Sequence, residues 1–445
     1  MNEEPTSRRI AELRVRVAAG DVAAVAAFWR RAAEEGTPIV EPISGDETQR
    51  LVTFVFRAPG PLANVAIFPG IEHAYVMAQN QMTKLPGTDV WYRTYRARAD
   101  LRATYYISPN DPLRSSDEEI DSGEEAAYIA ERTKAWLTDP LNSKQFTFEP
   151  GWPAHSLIEL PDAPTQPYLA KREDVPEGTI EREDLGRDPF GEGRRIWTYL
   201  PPGYQPGAGP YPLVVVFDGW GGRKLGVHTT LDNVIADGVI PPTVCVMIHQ
   251  LDRNIELRCN EHFADWLARD FVPSWVRQRY AVTDDPARTV VSGTSLGGLG
   301  AAWCAFRHPE VFGNVLSQSG SYWWRPGAPS SYSFVTRTAP AGPKARQGDP
   351  YEWLTRQYEA SPCLPLRLHM DVGLLEDQPR PGACPTMLDA NRRMRDVLRT
   401  KGYDLQYVEY NGGHDSVSWR GTFADGLAFL LGAATRTRGA LKGKS

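Results

Sequence analysis

The stretch "RTVVSGTSLGGLGAAWCAFRHPEVF", residues 288–312, decides how this chain is read. It opens on an apolar, β-branched run, the pattern of a buried strand. Its later part, "LGAAWCAFRHPEVF", reads as a helix. Between them stand Gly293, Ser295 and Gly297, a G-x-S-x-G spacing. A serine at a tight strand-to-helix turn needs small neighbours two residues away on each side, because a side chain there would clash with the turn. Such a turn lifts the hydroxyl above the sheet. It also aims the first amides of the helix at the same place, where they can donate to an oxyanion. Gly298 lets the helix pack close. Ser295 is therefore the candidate nucleophile.

A serine hydroxyl alone is a weak nucleophile, so a base and an orienting acid are expected. Where a strand–serine–helix turn carries the nucleophile, the partners follow in the order acid, then histidine. Of the eight histidines, His414 fits this order: it follows the strand-like "LQYVEY" and sits in the glycine-rich "NGGHDSVSW". His369 lies within a strand pattern and reads as a core or sheet-face residue. His262 and His308 sit in helical runs as surface or capping groups, and His73 lies in the N-terminal half. His228 and His249 are candidate pocket residues. The acid belongs after the preceding strand, where "LRLHMDVGLLEDQP" ends in Glu376 and Asp377. Glu376 is the first choice and Asp377 the second. Asp371, inside the strand, and Asp415, beside the histidine, are weaker. For the oxyanion, the amide of Leu296 and that of Trp220, after "VVVFDG", are the candidate donors.

The rest of the chain divides around this core. Residues 8–35 hold a helical pattern. "QRLVTFVFRAP", "ANVAIFPG", "VWYRTYRAR" and "RATYYISPND" are short β-branched and aromatic runs separated by turn residues, the texture of an antiparallel sheet or sandwich. The segment "DEEIDSGEEAAYIAERTKAW" reads as a polar, partly helical insert. A proline-rich stretch from about 150 to 175 marks the boundary, giving an N-terminal sandwich-like domain at 1–160 and a second domain at 161–445. "GTIEREDLG" and "RRIWTYLPPGY" read as an antiparallel pair. After them, "PLVVVFDG", "TVCVMIHQ", "RTVVSGTS", "GNVLSQSG", "LRLHMDVG" and "LQYVEYNGG" are almost wholly apolar and alternate with helical stretches. That pattern implies a mostly parallel sheet flanked by helices.

Composition excludes several classes. The chain has 445 residues, 41% hydrophobic and 23% charged, the balance of a globular protein with two cores. A net charge of −6 gives no support to nucleic-acid binding. The charged N-terminus lacks the apolar segment of a secretory signal, and no run is long enough to span a membrane. The five cysteines are scattered without a C-x-x-C pair, so reduced thiols in a cytoplasmic protein are expected, with a Cys363–Cys384 bridge as the alternative. No metal site or cofactor is expected.

"RTVVSGTSLGGLGAAWCAFRHPEVFGNVLSQSGSYWW", "NGGHDSVSWRGTFADGLAFLL" and "RNIELRCN" closely resemble the enterochelin (ferric enterobactin) esterases. "GTDVWYRTY" and "DPLN" resemble that family's N-terminal domain, so the likeness spans nearly the whole chain. It implies an α/β-hydrolase domain behind a β-sandwich. It implies cytoplasmic hydrolysis of a catecholate trilactone siderophore, with iron present only as part of the substrate. By position, Ser295 becomes the nucleophile and His414 the base. The family's Gly-x-x-Glu falls on Gly373 and Glu376, and its ligand-holding arginine on Arg253. A ferric catecholate is anionic, so Arg223, Lys224 and Arg258 near strand ends are expected to raise the local potential. Trp220, Trp323, Trp324 and Trp419 are expected in loops after strands, with flat faces for catechol rings. The chain departs from the family after Asp218-Gly219, between Ile248 and Arg253, and over "RPGAPSSYSFVTRTAPAGPKARQGDP". An aryl or acyl ester hydrolase or acyltransferase of the esterase D-like group would share the same triad.

Overall fold

Alternation with period two has to bury one face of a strand, and unbroken apolar runs have to bury both. The chain does the first in one compact unit and the second in another. The computed structural model describes residues 5–71, 77–113, 131–147, 153–328, 350–378 and 384–432. His73, most of the polar insert and most of the 325–350 tract fall outside the described residues. One unit comprises Met1–Thr165, Leu374–Gly382 and Asn411–Ser418; the other comprises Gln166–Gly373, Ala383–Tyr410 and Trp419–Ser445. Two short segments far along the chain thus belong with the N-terminal unit.

In the first unit the helical pattern of 8–35 breaks at Gly20, whose φ of +78° ends one helix. The result is two helices, Arg8–Ala18 and Ala24–Glu35. Among the described residues eight strands follow: β1 (Ile39–Ile43), β2 (Asp46–Arg57), β3 (Val65–Phe68), β4 (Thr83–Lys84), β5 (Val90–Arg98), β6 (Arg102–Pro109), β7 (Gln145–Phe146) and β8 (His155–Glu159). They form two antiparallel sheets, ordered β1-β2-β5-β4 and β3-β6-β8-β7. Alternation along β2 sends Phe54 into a core shared by both sheets, where its ring lies 4.7 Å from that of Tyr105. The next residue, Val55, packs with Ile10, Leu13 and Trp29 of the two helices.

The second unit holds β9 (Thr179–Asp188), β10 (Gly191–Leu200), β11 (Leu213–Val216), β12 (Val244–Ile248), β13 (Thr289–Thr294), β14 (Asn314–Gln318), β15 (Arg367–Gly373) and β16 (Asp404–Tyr410). They make one sheet ordered β16-β15-β14-β13-β11-β12-β10-β9. β11 to β16 are parallel, and the β9–β10 hairpin closes the edge in antiparallel sense. Leu213, Val215 and Val291 face one hydrophobic cluster, while Val214, Val216 and Val290 face the other, so both faces are covered. This is the α/β-hydrolase arrangement. None of the five cysteines is in a disulfide, so the Cys363–Cys384 bridge is not formed. Among the described residues no helix is long and apolar enough to cross a membrane.

Candidate active site

β13 ends at Thr294, and Ser295 turns the chain with φ +58° and ψ −119°. A residue with a Cβ pays for positive φ, so such a turn has to be held by its surroundings. The Ser295 amide donates to the Gln318 carbonyl at 2.9 Å, and its own carbonyl accepts from the Leu299 and Ser321 amides at 3.1 and 3.0 Å. Its hydroxyl lies 3.4 Å from that of Ser321. The glycines leave no alternative geometry. A Cβ on Gly293 would stand 2.5 Å from the Gly297 carbonyl carbon, and one on Gly298 would stand 2.7 Å from Ser317 Oγ. The first of these contacts is backbone and cannot yield. Gly293→Ala is expected to cost about 2–3 kcal/mol in chemical denaturation. Gly186→Ala is the control, since a Cβ there meets nothing within 4 Å. Equal midpoints for the two variants would refute the argument.

Leu296 opens the helix Leu296–Arg307, so its amide lies in the first turn, at the positive end of the helix dipole. Asp218, just past β11, also has positive φ (+54°) and starts the short helix Gly219–Lys224. Its amide donates to Gln250 Oε1 at 2.7 Å. Its carboxylate accepts from Arg253 Nε at 2.8 Å and would lie 3.2 Å from a Cβ on Gly297. Arg253 also donates from Nη2 to the Thr294 carbonyl at 3.3 Å. Asp218 and Arg253 therefore tie the turn that carries Trp220 to the turn that carries Ser295.

The N-terminal unit contains the loops after β15 and β16. There His414 Nδ1 lies 2.6 Å from Glu376 Oε2, with the carboxylate 2% exposed and the imidazole 25%. A carboxylate on Nδ1 fixes the ring orientation and leaves Nε2 as the nitrogen open to exchange a proton. The other acids are otherwise engaged. Asp377 is exposed and accepts from Gln378. Asp371 is buried 3.5 Å from His369 Nε2, and His369 Nδ1 meets Gln406 at 2.8 Å. Asp415 caps the helix Ser416–Leu431 by accepting from the Ser418 amide.

Residues 189–430 match the family described as putative esterase, and residues 51–169 match the N-terminal region of enterochelin esterase. The iron(III) enterobactin esterase of Dickeya dadantii is 30% identical over 91% of this chain and 92% of its own. This chain belongs to the enterochelin esterase family. The iron(III) salmochelin esterase of Escherichia coli is 29% identical over 97% of this chain and 99% of its own. The crystal structure of ferric enterobactin esterase from Salmonella typhimurium superposes with a TM-score of 0.67 at 26% identity, over 91% of this chain and 98% of the other. The enterobactin esterase of Shigella flexneri, solved in the presence of enterobactin, gives 0.66 at 25%, over 91% and 97%.

In this family member two of the basic residues meet at Trp220. Lys224 Nζ lies 4.9 Å above the Trp220 ring, and the Arg195 guanidinium lies 6.0 Å from the same ring. Arg223 Nη1 is 3.0 Å from His228 Nδ1. Burial holds the Arg223 guanidinium below its ordinary value; burial and then Arg223 hold His228 down. Burial, reinforced by Arg195, holds His249 down, and burial with Arg253 lowers Arg258 to about 10. Arg195 was not singled out in the sequence. Its signal was the i, i+2 spacing to Trp197, which puts both on one face of β10; the guanidinium lies 5.9 Å from the Trp197 ring. Ser321 was also missed, because its contact to Ser295 comes from the turn after β14.

The tryptophans need correction. Trp220 and Trp419 lie on helices, not in loops, because Asp218 and Asp415 start helices immediately after the preceding strand or turn. Trp419 is 8% exposed and donates its indole N–H to Ser319 Oγ at 2.9 Å. Trp324 is 3% exposed and packs edge-on to Trp353. Trp323 is partly exposed and packs against the larger core cluster.

Proposed function

We propose that this protein is a serine esterase that opens catecholate trilactone siderophores of the enterobactin or salmochelin kind, as ferric complexes, so that iron can be released. The observation that carries this reading is Ser295 in a strained turn, within a chain matched over more than nine-tenths of its length by iron(III) enterobactin and salmochelin esterases. Arg195 and Lys224 over the Trp220 ring support an anionic aromatic ligand; Arg223 and Arg258 are proposed to add charge and Trp323 to add ring surface.

In this mechanism His414 Nε2 takes the Ser295 proton, and Oγ attacks a lactone carbonyl carbon. The amides of Leu296 and Trp220 receive the oxyanion. The carbon–oxygen bond to the seryl alkoxide breaks, and His414 returns the proton to that oxygen. Water, deprotonated by His414, then attacks the acyl-enzyme, and Ser295 Oγ leaves with the proton from His414. Glu376 holds the imidazole tautomer throughout. Arg253 acts on the Ser295 turn as well as on the ligand. Iron enters only as substrate, and the chemistry on this path uses no resident metal or cofactor. We place the reaction in the cytoplasm, a compartment that keeps cysteines out of disulfides, as all five are here.

The test is product analysis by liquid chromatography and mass spectrometry. Purified protein is incubated with enterobactin, bacillibactin and a salmochelin-type trilactone, each with and without Fe(III). Ring-opened catechol fragments are expected, from ferric substrates first. Intact trilactones beside hydrolysed feruloyl esters would replace this reading with that of a general aryl esterase.

A further inference from the structure

The N-terminal sandwich holds both loops of the acid–base pair, by contacts on each side of His414 and at the residue before Glu376. β3 covers one edge of β6 only from Tyr106 to Pro109. Below that point the β6 edge amides turn to the histidine loop. The Arg102 amide donates to the Asn411 carbonyl at 3.1 Å, and the Thr104 amide donates to Asp415 Oδ2 at 3.2 Å. Asn411 Nδ2 also donates to Asp100 Oδ1 at 2.7 Å. Edge amides need acceptors, and a chain that supplies them is fixed in register along the strand. His414 sits between the two anchored positions, 411 and 415.

The glutamate loop is fixed by different means. Leu375, the residue before Glu376, is partly buried and packs against the sandwich core, the cluster that includes Phe54, Ile67 and Tyr105. Its amide donates to the Gly412 carbonyl at 3.1 Å, so the two loops are also tied to each other. Asp415 carries a double duty: Oδ2 serves β6, while Oδ1 accepts from the Ser418 amide at 3.1 Å.

We infer that the N-terminal sandwich is a positioning element of the active site: the β6 edge and the sandwich core set the placement of His414 and Glu376. Leu375 and Asp415 are the positioning residues. This rests on the serine esterase reading above. It gives the N-terminal domain a part in turnover, not only in binding.

The test uses full-length protein with two variants that fail in different ways. Asp415→Asn is nearly isosteric but offers one acceptor where two N–H groups need one each. Leu375→Ala removes the apolar anchor without touching charge. Each is expected to lower kcat on the ferric trilactone about 10- to 100-fold, because small misplacements of catalytic groups carry costs of that size. KM should stay within about twofold, since no ligand contact is removed. Leu375→Met, which refills the core, should restore kcat to within about twofold of wild type. Circular dichroism and one-to-one labelling of Ser295 by a fluorophosphonate establish that the variants are folded and counted correctly. Variants that keep wild-type kcat, or raise KM with kcat unchanged, overturn the inference. A wild-type protein that neither hydrolyses the trilactone nor labels at Ser295 overturns the esterase reading and the inference with it; a wild type that does both leaves the variants to judge positioning alone.

Discussion

Ser295→Ala is expected to lower kcat on a ferric catecholate trilactone by about 10⁴- to 10⁶-fold, the range found when the nucleophile of a triad is removed. This corresponds to about 5–8 kcal/mol of transition-state stabilisation. Binding should survive, because the hydroxyl is not among the groups proposed to hold the ligand. Folding should survive as well. The turn is fixed by the Ser295 amide and carbonyl, which alanine keeps, and by the glycines around it. Single-turnover hydrolysis together with a thermal melt makes the check. A variant with more than a tenth of wild-type turnover would show that Ser295 is not the nucleophile. A variant that is inactive but unfolded would show that the hydroxyl contact to Ser321 matters for structure.

The second large effect concerns stability. Arg194 is fully buried and donates to two carboxylates, Asp188 at 2.6 Å from Nε and Glu256 at 2.5 Å from Nη1. Its Nη1 also reaches the His249 carbonyl at 3.2 Å, and the guanidinium lies 4.9 Å from the Trp266 ring. Arg194→Met fills the volume but leaves two buried carboxylates without a cation. Breaking a buried ion pair from one side costs about 3–5 kcal/mol, because the remaining charge is stranded. Chemical denaturation followed by tryptophan fluorescence should show that loss at pH 7.5. The sign of its pH dependence follows from the stranded acids. Burial already raises the Glu256 carboxyl against the pull of Arg194, and without that guanidinium it would titrate higher still in the folded variant than in its unfolded chain, so the deficit should shrink as pH falls through the carboxylate range and grow as pH rises. A loss below about 1 kcal/mol at pH 7.5 would mean that the cluster is already relaxed by water.

The parts of this architecture that depend on near neighbours were readable from the residues. Val214, Val215 and Val216 alternate between two cores because a strand has period two. Gly293 and Gly297 bracket a turn whose geometry demands them. Glu376 and His414 lie at the ends of successive strand patterns. What could not be read depends on contacts distant in sequence. Trp220 and Trp419 look like loop residues until Asp218 adopts left-handed φ and Asp415 finds the Ser418 amide. Arg253 is expected from the resemblance to hold the ligand, and its ion pair with Asp218, 35 positions away in sequence, is not visible in the residues alone. Membership of residues 411–418 in the N-terminal unit follows from two β6 amides some 310 positions earlier, which no periodicity reports.

The connection from β12 to Arg253 has a consequence for access. The His249 amide donates to the Arg195 carbonyl, and Gln250 takes the Asp218 amide. The Leu251 and Asp252 amides both end on Glu256 Oε1, at 2.8 and 3.0 Å. A tether bonded at four successive residues has no slack to swing. This connection therefore behaves as a wall and not as a gate, and any opening that the proposed ferric substrate needs has to be drawn from other segments of the chain.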